Sequence, residues 1–173
     1  MSNTDENGIV GHLVIERFDN DGNLLERFEG RNLVTDVGDQ LYAERGSGAG
    51  SPALPTGMKL GAGSTAVAKT GAGAALVTYL SGSNKAFDAT YPQSSQPGGA
   101  GTARRITYKR TYAAGEATTA SPITEAAIVT ETISSDTTST AAETVSRILV
   151  TGISAKGASD TLTATWNHDF LGA

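Results

Sequence analysis

The sequence predicts a mainly β protein: an antiparallel β-sandwich, jelly-roll-like, with an N-terminal β-hairpin, one short helix and long loops rich in Gly, Ser and Thr. Two observations predict this class. Several segments alternate apolar and polar residues with the period of two that a half-buried strand requires. Only 38% of the 173 residues are hydrophobic and 18% are charged, while 21 are glycine, a composition typical of short strands joined by many turns.

Two extended runs near the start of the chain predict the hairpin. Residues 8–18 and 23–29 are separated by Asp19-Asn-Asp-Gly22. Asp-Gly between alternating runs is a strong hairpin signal, because glycine accepts the positive φ of the turn. Residues 1–8 are polar and acidic and are predicted to form a flexible arm, with residues 9–173 as a single domain.

The segment after the hairpin predicts the short helix. Residues 37–45 place Val37, Leu41 and Tyr42 on one side, and Asp36 can cap the first turn. Gly38 weakens the helix, which limits it to two or three turns.

Glycine and proline divide the middle of the chain into loops. Residues 46–57 and 61–73 are predicted loops on either side of a brief strand at residues 58–60. Residues 74–80 fit a strand or a helical turn, and residues 81–101 form a loop of a length that is usual for binding elements or mobile arms.

The second half of the chain contains the clearest strands. Residues 104–112 alternate, residues 122–130 carry a mixed pattern that indicates burial on both faces, and residues 145–153 are apolar and β-branched. A Ser/Thr-rich loop at residues 131–144 precedes the third of these strands.

The last strand, residues 160–170, has the strongest alternation in the chain. Leu162, Trp166 and Phe170 share one face and are predicted to anchor the core, whereas threonines occupy the other face. Burying a tryptophan is one of the largest contributions that a single side chain makes to a core.

Composition narrows the function. The chain has no cysteine, which excludes disulfides, thiolate metal sites and cysteine nucleophiles, and its net charge of -5 argues against a nucleic-acid binder. The N-terminus lacks the basic start and apolar run of a secretory signal, and no apolar run approaches the length of a membrane span. A soluble protein is expected.

Three possible ligand sites are weaker than their structural alternatives. Gly61-Ala-Gly63-Ser-Thr-Ala66 fits a loose dinucleotide-binding pattern, but a poor helix former follows it. Asp19, Asp21 and Asn23 begin like a calcium loop that the following residues do not complete. His12 and His168 are the only histidines, and no nearby carboxylate completes a metal site. We predict no catalytic residue, cofactor or metal.

Glu125 lies in an otherwise apolar strand. A buried carboxylate needs a cationic partner, and Arg147, within another apolar strand, is the natural candidate. The sequence therefore predicts a structural pair between Glu125 and Arg147. General acid catalysis by Glu125 is the alternative, although no second carboxylate is placed to assist it.

The order of the motifs resembles a known group of proteins. The motifs, which span nearly the whole chain, are the N-terminal hairpin, Asn32-Leu-Val-Thr-Asp-Val-Gly38, Met58-Lys-Leu-Gly-Ala-Gly63, Ile123-Thr-Glu-Ala-Ala-Ile128, Ser146-Arg-Ile-Leu149 and Asp160-Thr-Leu-Thr-Ala-Thr-Trp166. In this order they resemble the β-sandwich structural proteins of tailed-bacteriophage virions, and a small single-domain example is most similar to a capsid decoration, or cement, protein.

This resemblance implies a function without catalysis. A decoration protein sits as a homotrimer on the exterior of the virion capsid, is assembled in the host bacterial cytoplasm, and binds the phage major capsid protein. It needs no nucleic acid, membrane or small-molecule substrate. We expect the partner interface at the arm, residues 1–8, and around Leu54 and Pro55, Tyr91 and Pro92, and His168.

Two alternatives remain open at this point. The first is a tail-associated subunit, such as a fibre, knob or baseplate component. A decoration protein is favoured over it only because this sequence has no repetitive shaft or long attachment segment, which a fibre usually has. A virion-associated hydrolase would need a paired acid and base or a metal cluster, which the sequence does not assemble.

Overall fold

The computed structural model describes residues 8–99 and 102–170, which form one curled antiparallel sheet and one α-helix. The predicted arm lies outside the described residues apart from Gly8. The sheet order is β4-β3-β7-β8-β2-β1-β9-β6-β5. The elements are β1 Ile9–Phe18, β2 Leu24–Val34, α1 Asp36–Ser47, β3 Gly57–Gly61, β4 Lys85–Ala86, β5 Gln93–Ser95, β6 Arg104–Tyr112, β7 Ile123–Val129, β8 Thr144–Ile153 and β9 Thr161–Phe170.

The predicted mainly β, antiparallel class is confirmed, and the strands belong to one continuous sheet. β3 and β6 lie near opposite ends of the strand order, yet the Tyr112 hydroxyl on β6 donates to the Met58 carbonyl on β3 at 3.2 Å. The sheet therefore curls until its two halves face each other across one core. This arrangement is compatible with the predicted sandwich.

The hairpin between β1 and β2 is confirmed. Asp19 Oδ1 accepts backbone hydrogen bonds from Asp21 and Asn23, at 2.9 and 2.8 Å, and Gly22 takes a φ of 82°. These contacts give Asp19 the turn role that the sequence favoured over calcium binding. β2 runs five residues further than predicted, to Val34, where it pairs with β8.

The predicted helix is present, but it begins one residue earlier and ends two residues later than predicted, and its cap is different. Thr35, not Asp36, caps α1, because the buried Thr35 hydroxyl accepts from the Gly38 amide at 3.2 Å. The same hydroxyl donates a hydrogen bond to the Val145 carbonyl of β8 at 3.1 Å. An ionised carboxylate has no proton to donate and could not make this bond. Gly38 allows the close packing, since a Cβ there would meet the Val145 carbonyl at 2.3 Å.

Thr35→Ala is expected to lower the free energy of unfolding by about 1 to 2 kcal/mol, because it removes the cap and a buried hydrogen bond together. Chemical denaturation followed by circular dichroism measures the change. Thr35→Ser keeps the hydroxyl and serves as the control. If the serine and alanine variants lost the same free energy, the hydroxyl would have no part in the stability of α1.

The core lies between the two halves of the sheet. Leu162 and Trp166 on β9 are fully buried, as predicted, whereas Phe170 is only partly buried because it lies at the end of the strand, against the Tyr42 ring at 5.0 Å. The prediction that the strand at 122–130 is buried on both faces is confirmed. Its second face packs against Leu76 and Tyr79.

The predicted loops contain short regular pieces. Residues 81–101 include β4 and β5, while the segment at 74–80 follows a 3-10 turn, Gly71–Ala74, and makes one isolated bridge between Tyr79 and Gly61. Of the described helices, none has the length and apolar character needed to cross a membrane.

Candidate functional site

An apolar cavity of about 320 Å³ opens between α1, the loop before β3 and the β5–β6 edge of the sheet. Its walls are Leu41, Leu54, Pro55, Pro92 and Ile106, with the two phenol side chains Tyr42 and Tyr108, and Arg45 as the single charged lining residue. Apolar concavities of this size, with a few polar groups, are the usual places where proteins bind partners or ligands.

The cavity brings together residues that the sequence marked as an interface. Leu54, Pro55 and Pro92 all line it, although 37 positions separate the second from the third. The Leu54 side chain is 59% exposed, the most of any large hydrophobic residue in the described part of the chain. Tyr91, joined to Pro92 by a cis peptide bond, is half-buried and does not line the cavity.

His168 is not a surface residue, and its prediction as a partner contact is wrong. Its side chain is fully buried, because it shares the inward face of β9 with Trp166 and α1 packs over it. His168 Nδ1 lies 2.6 Å from the Tyr42 hydroxyl, and Nε2 lies 3.3 Å from Ser146 Oγ. The imidazole therefore supports the wall of the cavity from beneath.

A chain of hydrogen bonds extends from the cavity into the core. The hydroxyls of Tyr42 and Tyr108 lie 2.9 Å apart, and beyond His168 the Asn32 amide contacts Ser146 and accepts from Trp166 Nε1 at 2.6 Å. We call these six side chains the polar cluster. Since every member has a partner, the cluster holds Tyr42 and Tyr108 in fixed orientations.

The polar cluster is uncharged at neutral pH. Burial lowers the pKa of His168 to about 3 and raises the pKa values of Tyr42 and Tyr108. Desolvation acts in these directions because it disfavours the charged form of each group. The cluster thus supplies hydrogen-bonded support for the cavity and no group that titrates near neutral pH.

Sequence reasoning missed Asn32, although a signal was present. Gly11 lies opposite Asn32 on β1, and a Cβ at Gly11 would fall 2.0 Å from Asn32 Oδ1. A glycine inside a strand often marks a place where another group approaches closely. Here the group is the carboxamide that links Trp166 to the rest of the polar cluster.

Glu125 and Arg147 form a fully buried ion pair. Arg147 Nη2 and Nε donate to Glu125 Oε2 at 2.6 and 3.1 Å, and Arg147 Nη1 donates to the Gly73 carbonyl at 3.0 Å. Glu125 Oε1 accepts from the amides of Gly63 and Thr78 at 2.9 and 2.8 Å. The pair therefore fixes the long loop at 62–80 over the outer face of the sheet.

Gly61 and Gly63 make room for this carboxylate. A Cβ at either position would approach the Glu125 side chain to 2.6 or 2.4 Å. The glycine pattern that resembles a dinucleotide turn is thus explained by close approach to Glu125. The enclosed carboxylate, surrounded by amides and Arg147, is also poorly placed to act as a general acid.

A second buried ion pair, between Lys59 and Glu131, was not predicted. Lys59 Nζ contacts the Glu131 carboxylate, donates to the Thr137 carbonyl at 2.7 Å and lies 5.1 Å from the centre of the Tyr79 ring. Lys59 is fully buried on the outer face of β3. The only sequence feature that could have indicated this buried pair is the lysine between Met58 and Leu60, in a short strand bounded by glycines.

The two histidines do not come together in one site. His12 Nε2 lies 3.1 Å from Glu29 Oε1 on the neighbouring strand, and His12 pairs across the sheet with Asn167, whose side chain is on the face opposite to His168. Within residues 8–99 and 102–170, no group of three His, Asp or Glu side chains is placed to hold a metal ion.

Comparisons with protein-family models, with curated proteins and with solved structures found no match to this chain.

Proposed function

We propose that this protein is a bacteriophage structural protein, a capsid decoration protein that binds the assembled shell and stabilises it. The observation that carries the proposal is the apolar cavity with Leu54 exposed at its rim. An exposed leucine beside an apolar concavity offers a partner both an anchor and a pocket, and the fully buried centre of a protein interface is more apolar than the surface around it.

The rigidity of the cavity supports a binding role. Tyr42 and Tyr108 are held by the polar cluster, and Arg45 donates to the Pro52 carbonyl at 2.6 Å, which ties α1 to the loop that carries Leu54. A surface that is ordered before it binds loses less conformational entropy in the complex.

The proposed mechanism is linkage between binding and assembly. A protein that binds the assembled shell but not free capsid subunits stabilises the shell by about 2.7 kcal/mol per site when its concentration is 100 times Kd. A homotrimer at a local threefold position would engage several capsid subunits at once, which increases the effective affinity further.

Leu54→Ser is expected to lower the occupancy of purified protein on expanded, undecorated capsids of the same phage at least tenfold. The measurement is cryo-electron microscopy of capsids mixed with protein, with co-sedimentation as a titration. Leu24→Ser is the matched control, because Leu24 is 51% exposed at the far end of the β1–β2 hairpin.

Ordered density of the native protein at lattice positions is the expected result. An absence of capsid binding, with labelling of the tail instead, would overturn the proposal in favour of a tail subunit. Equal losses for the Leu54 and Leu24 variants would show that capsid binding does not use the cavity.

A further inference from the structure

Two arginines, one in the cavity wall and one on the strand that carries Ile106, have no carboxylate partner in the described part of the chain. Arg45 lines the cavity from α1. Arg104 is exposed at the start of β6, on the strand face that also carries Ile106 and Tyr108, since alternate residues share a face. Among the ion pairs of the described residues, other arginines are paired, for example Arg17 with Glu26 and Arg105 with Asp169.

This local charge is opposite in sign to that of the whole chain. The protein carries a net charge of -5, yet Arg45 lines the apolar cavity and Arg104 lies two residues before the lining residue Ile106, and neither has a carboxylate partner among the described residues. Complementary charge around an apolar centre sets the choice of partner and the rate of encounter more than it sets the affinity.

We infer that the cavity receives one apolar side chain from an acidic segment of a partner protein, whose neighbouring carboxylates pair with Arg45 and Arg104. The inference rests on the proposed function and deepens it, because it names the chemistry of the partner segment that the cavity takes. The apolar walls hold the side chain, and the two arginines select the residues on either side of it.

The edge of the sheet that the described residues form favours an extended partner segment. β5, residues Gln93–Ser95, ends the strand order, and all three of its residues are exposed. It follows Pro92 directly, so the edge continues from the wall of the cavity. An extended segment can pair with such an edge through its backbone while one of its side chains enters the adjacent cavity.

Synthetic peptides test the inference without a capsid. The probe is an eight-residue peptide with one central leucine flanked by two glutamates on each side. One control peptide replaces the leucine with serine, and another replaces the glutamates with lysines. Titration into the ¹⁵N-labelled protein is expected to shift resonances around Tyr42, Ile106 and Tyr108, with at least tenfold weaker binding of both control peptides.

A second experiment reverses the charge of the two arginines. In the double variant Arg45→Glu with Arg104→Glu, the preference is expected to invert, so that the lysine peptide binds at least tenfold better than the glutamate peptide. Arg27→Glu is the matched control, because Arg27 is exposed on the β1–β2 hairpin, distant from the cavity, and should leave the preference unchanged.

Several outcomes would overturn the inference. These are no binding at millimolar peptide, equal binding of acidic and basic peptides, or shifts confined to another surface. Tighter binding of a peptide with the sequence of residues 1–8 would instead identify the chain's own N-terminal segment as the occupant. Capsid binding without peptide selectivity would reject the inference alone, and peptide selectivity without capsid binding would reject the proposed function alone.

Discussion

Glu125→Gln is expected to lower the free energy of unfolding by about 3 to 5 kcal/mol, the cost of leaving a fully buried arginine without its partner. The loss includes weaker hydrogen bonds to the amides of Gly63 and Thr78, which the carboxylate accepts in the native protein. Arg147→Met is expected to cost a similar amount, because it leaves the carboxylate uncompensated. Urea denaturation of each variant measures both values.

The double variant separates a pair from two independent groups. Because Glu125→Gln with Arg147→Met leaves no buried charge at this site, its loss should fall short of the sum of the single losses by about 1 to 3 kcal/mol. A double variant that loses as much as that sum would refute the coupling between the two side chains.

An exposed ion pair provides the control for this cycle. Lys69 and Asp39 are 50% and 48% exposed, so Lys69→Met should cost less than about 1 kcal/mol. The contrast between the two sites tests whether burial, and not the mere presence of opposite charges, determines how much free energy of unfolding is lost when an ion pair is broken.

Acid is expected to destabilise the protein through His168. Burial lowers the pKa of His168 to about 3 from its ordinary value of 6.5. Between these values the unfolded chain binds a proton that the folded protein does not, so stability falls as the pH falls. The slope is about 1.4 kcal/mol per pH unit, which amounts to about 2.7 kcal/mol at two units below 6.5.

His168→Asn isolates this contribution. Carboxylates such as Glu26 and Asp136 have pKa values lowered to about 2 by their hydrogen-bond partners, and they destabilise both proteins alike as the pH falls. The difference in slope between native protein and variant, from denaturation at pH 4.5 to 7, therefore belongs to His168. Tyr42, Tyr108 and Asp169 face or neighbour the imidazole and are present in both proteins.

The control for acid sensitivity is His12→Gln, because the His12 side chain is 33% exposed beside Glu29. This variant should keep the steep slope of the native protein. If the His168 variant also kept it, the buried imidazole would not be the source of the acid sensitivity.

Local patterns in the sequence predicted the strands well. β1, β6, β8 and β9 were all recognised, because a strand with one buried face repeats every two residues whatever lies across the core. The cap was misassigned, because both Thr35 and Asp36 are good capping residues and only the packing of α1 against β8 separates them.

Burial of both faces was predicted from the sequence for β7 but not for β3. Lys59 and Glu131 are residue types that usually lie on the surface, and they are buried here because two long loops cover the outer face of β3 and β7. The Glu125–Arg147 pair was predictable, because each of these two residues interrupts a long apolar strand.

The sequence predicted several residues of the candidate site but not that they lie together. Leu54, Pro55 and Pro92 were marked as apolar residues in polar loops, but their convergence on α1 and β6 depends on the curl of the sheet, which no local pattern encodes. His168 was misplaced because a histidine near the end of a strand carries no signal of the Tyr42 side chain that covers it.

The position of Trp166 makes its fluorescence an intrinsic probe of the cavity. It is the only tryptophan in the chain, it is fully buried, and its indole lies 6.4 Å from the His168 ring while its N–H is bound to Asn32. Changes in the ring packing or hydrogen bonding behind the cavity therefore reach the only tryptophan of the chain. Its emission can report on the occupied and empty cavity without any added label.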